Sequence, residues 1–254
     1  MKITIIGQGY VGLPLAIAAA QVGHQVVGID INVQLVGNLN RGISPLRDIS
    51  DEAILEALTS GSYRAADNFQ PVSEAEIIVI CLPTPLDAEH SPDISILIEA
   101  VNQLTPYLKP NVLVINESTV APGTTREVIF EILKNADVPF DLAFSPERID
   151  PANTNWNVTN TPKLVAGFTE NAAKRAFDFY KSFVDTVTVG SSLEVIEMAK
   201  LLENSFRLIN ISFINEIAKI CSTMKVDVRE VIQAASSKPY GFMPFFPSAG
   251  VGGH

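Results

Sequence analysis

Lys200, Asn204 and Arg207 stand at i, i+4 and i+7 in a segment otherwise rich in Leu, Ile and Phe. That spacing places them on one face of a helix. A lysine facing a cleft can donate to a developing alkoxide, and desolvation lowers its pKa. The competing use of such a stripe is a solvated helix face. A second candidate is "FSPERIDP", residues 144–151, where Glu147 and Arg148 follow an apolar run between two prolines. A carboxylate held in that loop can serve as a general base through a water. Two more segments, "CLPTPL" (81–86) and "NESTVAPGTT" (116–125), put Thr84, Glu117, Ser118 and Thr119 just after apolar runs. There they would line the carboxyl edge of a parallel sheet, where ligands bind, or serve the turns themselves.

The most specific signal is "GQGYVG", with Gly7, Gly9 and Gly12 in the spacing G-x-G-x-x-G around Tyr10 and Val11. It follows the apolar run "KITII", opens a helical pattern, and is followed by a second run ending in Asp30. That context is the one a dinucleotide fingerprint requires. Gly7 allows the tight turn, Gly9 lets backbone approach a pyrophosphate, and Gly12 lets the helix pack on the strand. The free N–H groups of the helix start then face the phosphates. Asp30 can accept from the adenosine ribose and would repel a 2′-phosphate, which favours NAD over NADP.

These residues need a scaffold, and the hydrophobic pattern supplies one. Short apolar runs alternate with amphipathic stretches through residue 190, which predicts a parallel sheet covered on both faces. Strands are expected at "KITIIG", "HQVVGID", "EIIVICLP", "VLVINEST", "FDLAFSPE", "KLVAGF" and "TVTVG", with helices near 11–22, 32–40, 51–59, 94–108, 123–136 and 170–183. Residues 191–224 contain neither Pro nor Gly. They predict one long helix, apolar on most of its circumference and therefore buried on several sides, followed by a shorter one near 227–236. The fold class is α/β: a Rossmann-like doubly wound parallel sheet (1–190), then a long connector helix and a short helical region (191–254).

Composition narrows the partners. A net charge of −10 argues against nucleic acid and anionic membrane. Glycines 7, 9 and 12 interrupt the one N-terminal apolar stretch, so no run reaches membrane-spanning length. Cys81 and Cys221 each sit in an apolar pattern, so no disulfide framework is expected and a reducing, cytoplasmic setting is the default. His24, His90 and His254 are scattered without metal-ligand spacing.

In chain order, "GQGYVGLPLA", "CLPTPL", "ESTVAPGTTRE", "FSPERIDP", "AKLLENSFRLINISFINEIA" and "GFMPFFPSAGVGGH" closely resemble the UDP-glucose/GDP-mannose dehydrogenase family. The "SPER" loop and the "GFMPF…GVGGH" turn look most like the branch acting on UDP-N-acetylglucosamine or UDP-N-acetylmannosamine. The resemblance implies two NAD-dependent oxidations of the sugar C6 alcohol to a carboxylate. By it, Lys200 and Asn204 stabilise the oxyanion and alkoxide, Glu147 activates water for thioester hydrolysis, and Thr119 positions water near the nicotinamide. Arg148, Arg207, Phe245, Gly250, Gly252 and Gly253 become substrate contacts, and Thr84 and Ser118 join the cofactor site. It also implies a homodimer through the long helix. In the family the glycine turn ends in Gly-Gly-x-Cys, and that Cys is the nucleophile; here His254 is the last residue before the expected position. The chain is thus expected to be the N-terminal cofactor-binding part of such an enzyme, cut just before the nucleophile, without the nucleophile, the assisting Asp and the UDP-binding domain, and inactive by itself for the full oxidation; neither Cys81 nor Cys221 matches the nucleophile. Leu35 stands where many members carry Lys or Arg. Two other readings fit the residues: a non-catalytic NAD-binding or assembly protein, and a thiol-independent relative of 6-phosphogluconate or 3-hydroxyacid dehydrogenases.

Overall fold

The computed structural model describes residues 1–149 and 155–249. They form two units, Met1–Met198 and Ala199–His254. The first is built on one sheet of eight strands: β1 (Lys2–Ile6), β2 (Gln25–Ile29), β3 (Tyr63–Ala66), β4 (Ile77–Ile80), β5 (Val112–Asn116), β6 (Phe140–Phe144), β7 (Lys163–Gly167) and β8 (Val187–Val189). Their spatial order is β3-β2-β1-β4-β5-β6-β7-β8. The order reverses between β1 and β4, and that switch point is where an open α/β sheet leaves a ligand crevice.

The fully apolar strands follow from burial on both faces. Alternate residues of a strand point to opposite sides. Ile3 and Ile5 of β1 enter one core, whereas Ile6 enters the other. Along β5, Leu113 and Ile115 join the first, and Val112 and Val114 the second. Helices α1 (Gly12–Gln21), α2 (Val33–Leu39), α3 (Asp51–Thr59), α4 (Ser95–Leu104) and α6 (Glu170–Lys181) cover these faces. Between α4 and α6, a π-helical turn at Thr125–Ile129 runs into the short α5 (Phe130–Leu133). Side-chain caps set several starts: Asn32 accepts from the Leu35 N–H, Ser50 from Ala53, and Thr169 from Ala172.

Two features depart from the expected pattern. β3 was not foreseen: "YRAA" is a short edge strand with an exposed Arg64 between buried neighbours. β7 pairs antiparallel with β6, through Ala143↔Gly167 and Phe144↔Ala166. Among the described residues joining them there is no crossover helix, and a parallel return needs such a crossover.

The first turns of α7 (Leu193–Met224) belong to the first unit. The second unit holds the rest of α7, α8 (Val228–Ser236) and the segment after it. In that segment the Phe245 ring meets Phe206 edge-on at 5.8 Å. The Asn215 side chain exchanges two hydrogen bonds with the Ser248 backbone, at 2.8 and 3.1 Å. The expectation that the long helix is buried on several sides fails within this chain. Leu202, Ile209 and Phe213 are 66%, 66% and 60% exposed, because among the described residues the second unit has only α8 and one extended segment to lay against them.

Candidate functional site

The glycine-rich turn joins β1 to α1 at the switch point. Gly7 has φ +89°, and a Cβ there would lie 2.3 Å from the Cys81 carbonyl oxygen. A Cβ on Gly12 would lie 1.8 Å from the Gly7 oxygen, so helix and turn meet backbone to backbone. Nothing lies within 4 Å of a Cβ built on Gly9: that side of the turn is open, and a side chain would fill the space a pyrophosphate needs. No side chain caps the start of α1, so its free N–H groups can serve an anion. Tyr10 is exposed and Val11 half-buried at the same turn. The residues present therefore fit a dinucleotide.

Asp30 stands beside this turn after β2. Its Oδ2 accepts from the Gln8 N–H and its Oδ1 from the Asn32 N–H, each at 2.9 Å. The carboxylate is thus oriented before any ligand arrives. Asp30 also lines a small, largely apolar pocket with Gly7, Ile31, Phe69, Leu82 and Ile96, which suits an adenine ring. Leu35, at the position where many members of the family carry Lys or Arg, packs against the first core. A carboxylate fixed beside this turn would repel a ribose 2′-phosphate, so NAD should bind about tenfold or more tighter than NADP. Calorimetric titration with both cofactors checks this, and equal affinity would refute it.

The loops after β4 and β5 are laced together. The Leu82 N–H donates to Ser118 Oγ at 3.0 Å, and Thr84 Oγ1 donates to the Thr119 carbonyl at 2.8 Å. Ser118 and Thr84 thus hold the loops to each other, while Thr119 lies half-buried at the same edge. A residue the sequence did not single out fixes the next turn. Glu197, fully buried on α7, accepts from the Gly123 N–H at 2.6 Å and the Thr125 N–H at 3.0 Å. Beside it Arg126 donates to Glu194 at 2.6 Å. That hydrogen bond holds the Glu194 carboxyl down at about 2.

Glu117 does not line the crevice as expected. It is 2% exposed and points beneath the sheet edge. Lys163 of β7 donates to its Oε2 at 2.8 Å, and the Tyr180 hydroxyl of α6 donates to its Oε1. Lys163 also reaches Glu147 Oε2 at 3.5 Å. Glu147 Oε1 in turn accepts from the Arg148 and Ile149 N–H groups. One buried ammonium is therefore shared by two carboxylates. Burial alone would lower Lys163, but Glu117 and Glu147 outweigh it and hold it above its usual range. The lysine is the missed member of this cluster. "TPKLVAGF" reads as an ordinary strand start, and only the antiparallel return of β7 brings Lys163 under Glu147. Burial, then Glu117, push the Cys81 thiol well above its usual range. Arg148 Nη1 donates to the Pro162 carbonyl at 2.8 Å.

Lys200, Asn204 and Arg207 belong to the second unit, the first two half-buried and Arg207 exposed. Phe245, expected at the substrate, lines an apolar groove with Phe206, Phe213, Phe242 and Met243. Gly250, Gly252 and Gly253 lie outside the described residues. Among the described residues no cluster of three His, Cys, Asp or Glu could hold a metal, and no helix is long and apolar enough to cross a membrane.

Comparison with known proteins agrees with this geometry. The chain is 36% identical over its whole length to UDP-N-acetyl-D-glucosamine 6-dehydrogenase of Pseudomonas aeruginosa, of which it spans 60%. It superposes on the structure of UDP-D-ManNAc dehydrogenase from Pyrococcus horikoshii with a TM-score of 0.91 at 34% identity, covering all of this chain and 62% of that one. The UDP-N-acetyl-mannosamine dehydrogenase Cap5O of Staphylococcus aureus gives 0.88 at 32% identity, with the same coverage. The chain thus spans about three-fifths of the length of these relatives. Residues 1–184 match the NAD binding domain of the UDP-glucose/GDP-mannose dehydrogenase family, and residues 194–254 match its central domain; the chain belongs to that family, and NAD is the cofactor of its first domain.

Proposed function

We propose that this chain forms the cofactor-binding and central part of a cytoplasmic, NAD-dependent UDP-N-acetylhexosamine 6-dehydrogenase. The reading rests on one observation above the others: the open glycine turn, the oriented Asp30, Thr119 and the held Glu147 all belong to one unit, at the carboxyl edge of its sheet. The relatives named above act on UDP-N-acetylglucosamine or UDP-N-acetylmannosamine, which supports that substrate class. The thiol-independent reading falls with the family assignment.

The turn from Gly7 to Gly12 and the start of α1 would hold the pyrophosphate, and Asp30 the adenosine ribose. Thr84 and Ser118 brace the loops on the nicotinamide side. Held there, the cofactor would supply a hydride acceptor for the sugar C6 in both oxidations. Thr119 positions a water there. Lys200 and Asn204 supply donors where negative charge develops on the sugar oxygen, and each preorganised donor contributes about 2.7–4 kcal/mol in comparable sites. Glu147 takes the proton of the water that ends the covalent stage. Arg148, Arg207, Phe245 and the glycines at 250, 252 and 253 contact the substrate. The thiol that forms the covalent bond is not among Cys81 and Cys221.

The test joins residues 1–254 to a Cys and the remaining length of a relative, and supplies both UDP-N-acetylhexosamines with NAD. Two NADH and one carboxylate per sugar are expected with one epimer or both. No carboxylate from either would overturn the reading, and would favour a non-catalytic NAD-binding protein. The exposed apolar side chains of α7 further support a homodimer through that helix. Light scattering should give twice the 27.5 kDa chain mass at micromolar concentration, and a monomer would count against it.

A further inference from the structure

Gln8 lies between the first two glycines of the turn, yet its side chain points into the fold. It is fully buried. Its Nε2 donates to the Ile5 carbonyl at 3.0 Å and the Gly7 carbonyl at 3.1 Å. Its Oε1 accepts from the Tyr63 hydroxyl at 2.9 Å. The amide lies against Gly28 of β2, where a Cβ would come within 2.3 Å of that oxygen. Two carbonyls and one hydroxyl fix which way the amide faces. The same residue's backbone N–H holds Asp30. Burial, then the Asp30 charge, push the Tyr63 hydroxyl above its usual range, so it remains a donor at neutral pH.

We propose that Gln8 and Tyr63 act as one unit, a pair of positioning residues that sets the phosphate-binding turn and the ribose-reading carboxylate in their bound geometry before NAD arrives. The physical need is plain. A glycine turn is conformationally loose, and a site that must order its own backbone on binding loses affinity. Gln8 supplies the missing restraint from below. It ties the end of β1, the turn, Asp30 and the outer strand β3 together, while the upper side of Gly9 stays open. Tyr63 completes the pair, because without its hydroxyl the Gln8 Oε1 would be buried with no donor, a costly state.

The test is calorimetric binding of NAD and of ADP, which carries the adenosine and pyrophosphate alone, to Gln8→Leu, Tyr63→Phe and the double variant. Measurements are made at a temperature where circular dichroism shows each variant folded, so a loss of global stability alone does not alter the affinity. Gln8→Leu should weaken both ligands about tenfold and Tyr63→Phe about three- to tenfold, the range expected for unpartnered buried groups. The double variant should match Gln8→Leu alone, because the Tyr63 hydroxyl acts through Gln8. A folded Gln8→Leu that binds NAD within about twofold of the parent would overturn the proposal. So would additive effects in the double variant, or a loss for NAD that ADP does not share. If Gln8→Leu does not fold, Tyr63→Phe decides alone: unchanged affinity refutes the unit.

Discussion

Residues 1–254, supplied with NAD and either UDP-N-acetylglucosamine or UDP-N-acetylmannosamine, should yield no sugar carboxylate. The second oxidation of the proposed reaction runs through a thiol adduct, and these residues offer no thiol for it. Cys221 is buried in α7. Cys81 stands at the sheet edge, but its thiol is held in the protonated state by burial and by Glu117, and the thiol form is a poor nucleophile. Placing a Cys directly after His254 should not restore turnover. Binding energy from the distant nucleotide is needed to place the reacting carbon, and a misplaced carbon loses the advantage of an oriented encounter. Only the extended chain should release two NADH per sugar. The measurement is NADH absorbance with product analysis on the three polypeptides. Carboxylate from residues 1–254 alone would refute the need for the thiol.

Lys163→Met should lower the stability of the first unit by about 3–5 kcal/mol, the usual cost of removing one partner from a buried ion pair. The loss should also depend on pH. In the parent protein the lysine sits above its usual range, so its contribution is complete below about 10.4 and fades only as pH rises through its folded value. Without it, Glu117 keeps the upward push of burial and loses the opposing cation. The folded variant then binds a proton at Glu117 at pH values where the unfolded chain has released it, above about 4.3. With fewer protons bound in the unfolded state, stability falls as pH rises. The deficit should be larger at pH 8 than at pH 5, and Glu117→Gln in the same background should recover part of it. Urea unfolding at the two pH values reads this directly. A loss under about 1 kcal/mol, or the same loss at both, would show that Lys163 is not the counter-ion the geometry makes it.

The sequence by itself determined the parts that depend on local periodicity and spacing. Seven strands and the long helix follow from hydrophobic runs and the absence of Gly and Pro. The place of Gly7, Gly9, Gly12 and Asp30 follows from a motif whose context is contiguous in the chain. Tertiary structure decided what depends on residues far apart in sequence. β3 is only four residues long and carries a charged Arg64, too short a run to announce itself, and exists because β2 offers it a ladder, Val26↔Tyr63 through Ile29↔Ala66. The antiparallel direction of β7 sets where Lys163 falls, and only then does Glu117 become a buried partner instead of a crevice residue. Gln8 reads as a variable position within the motif, and its restraining role needs Tyr63 from a strand the pattern did not reveal. The long helix was legible as apolar, but a hydrophobic pattern records that a face is to be covered, not by what; the structure decides that within this chain much of it stays exposed.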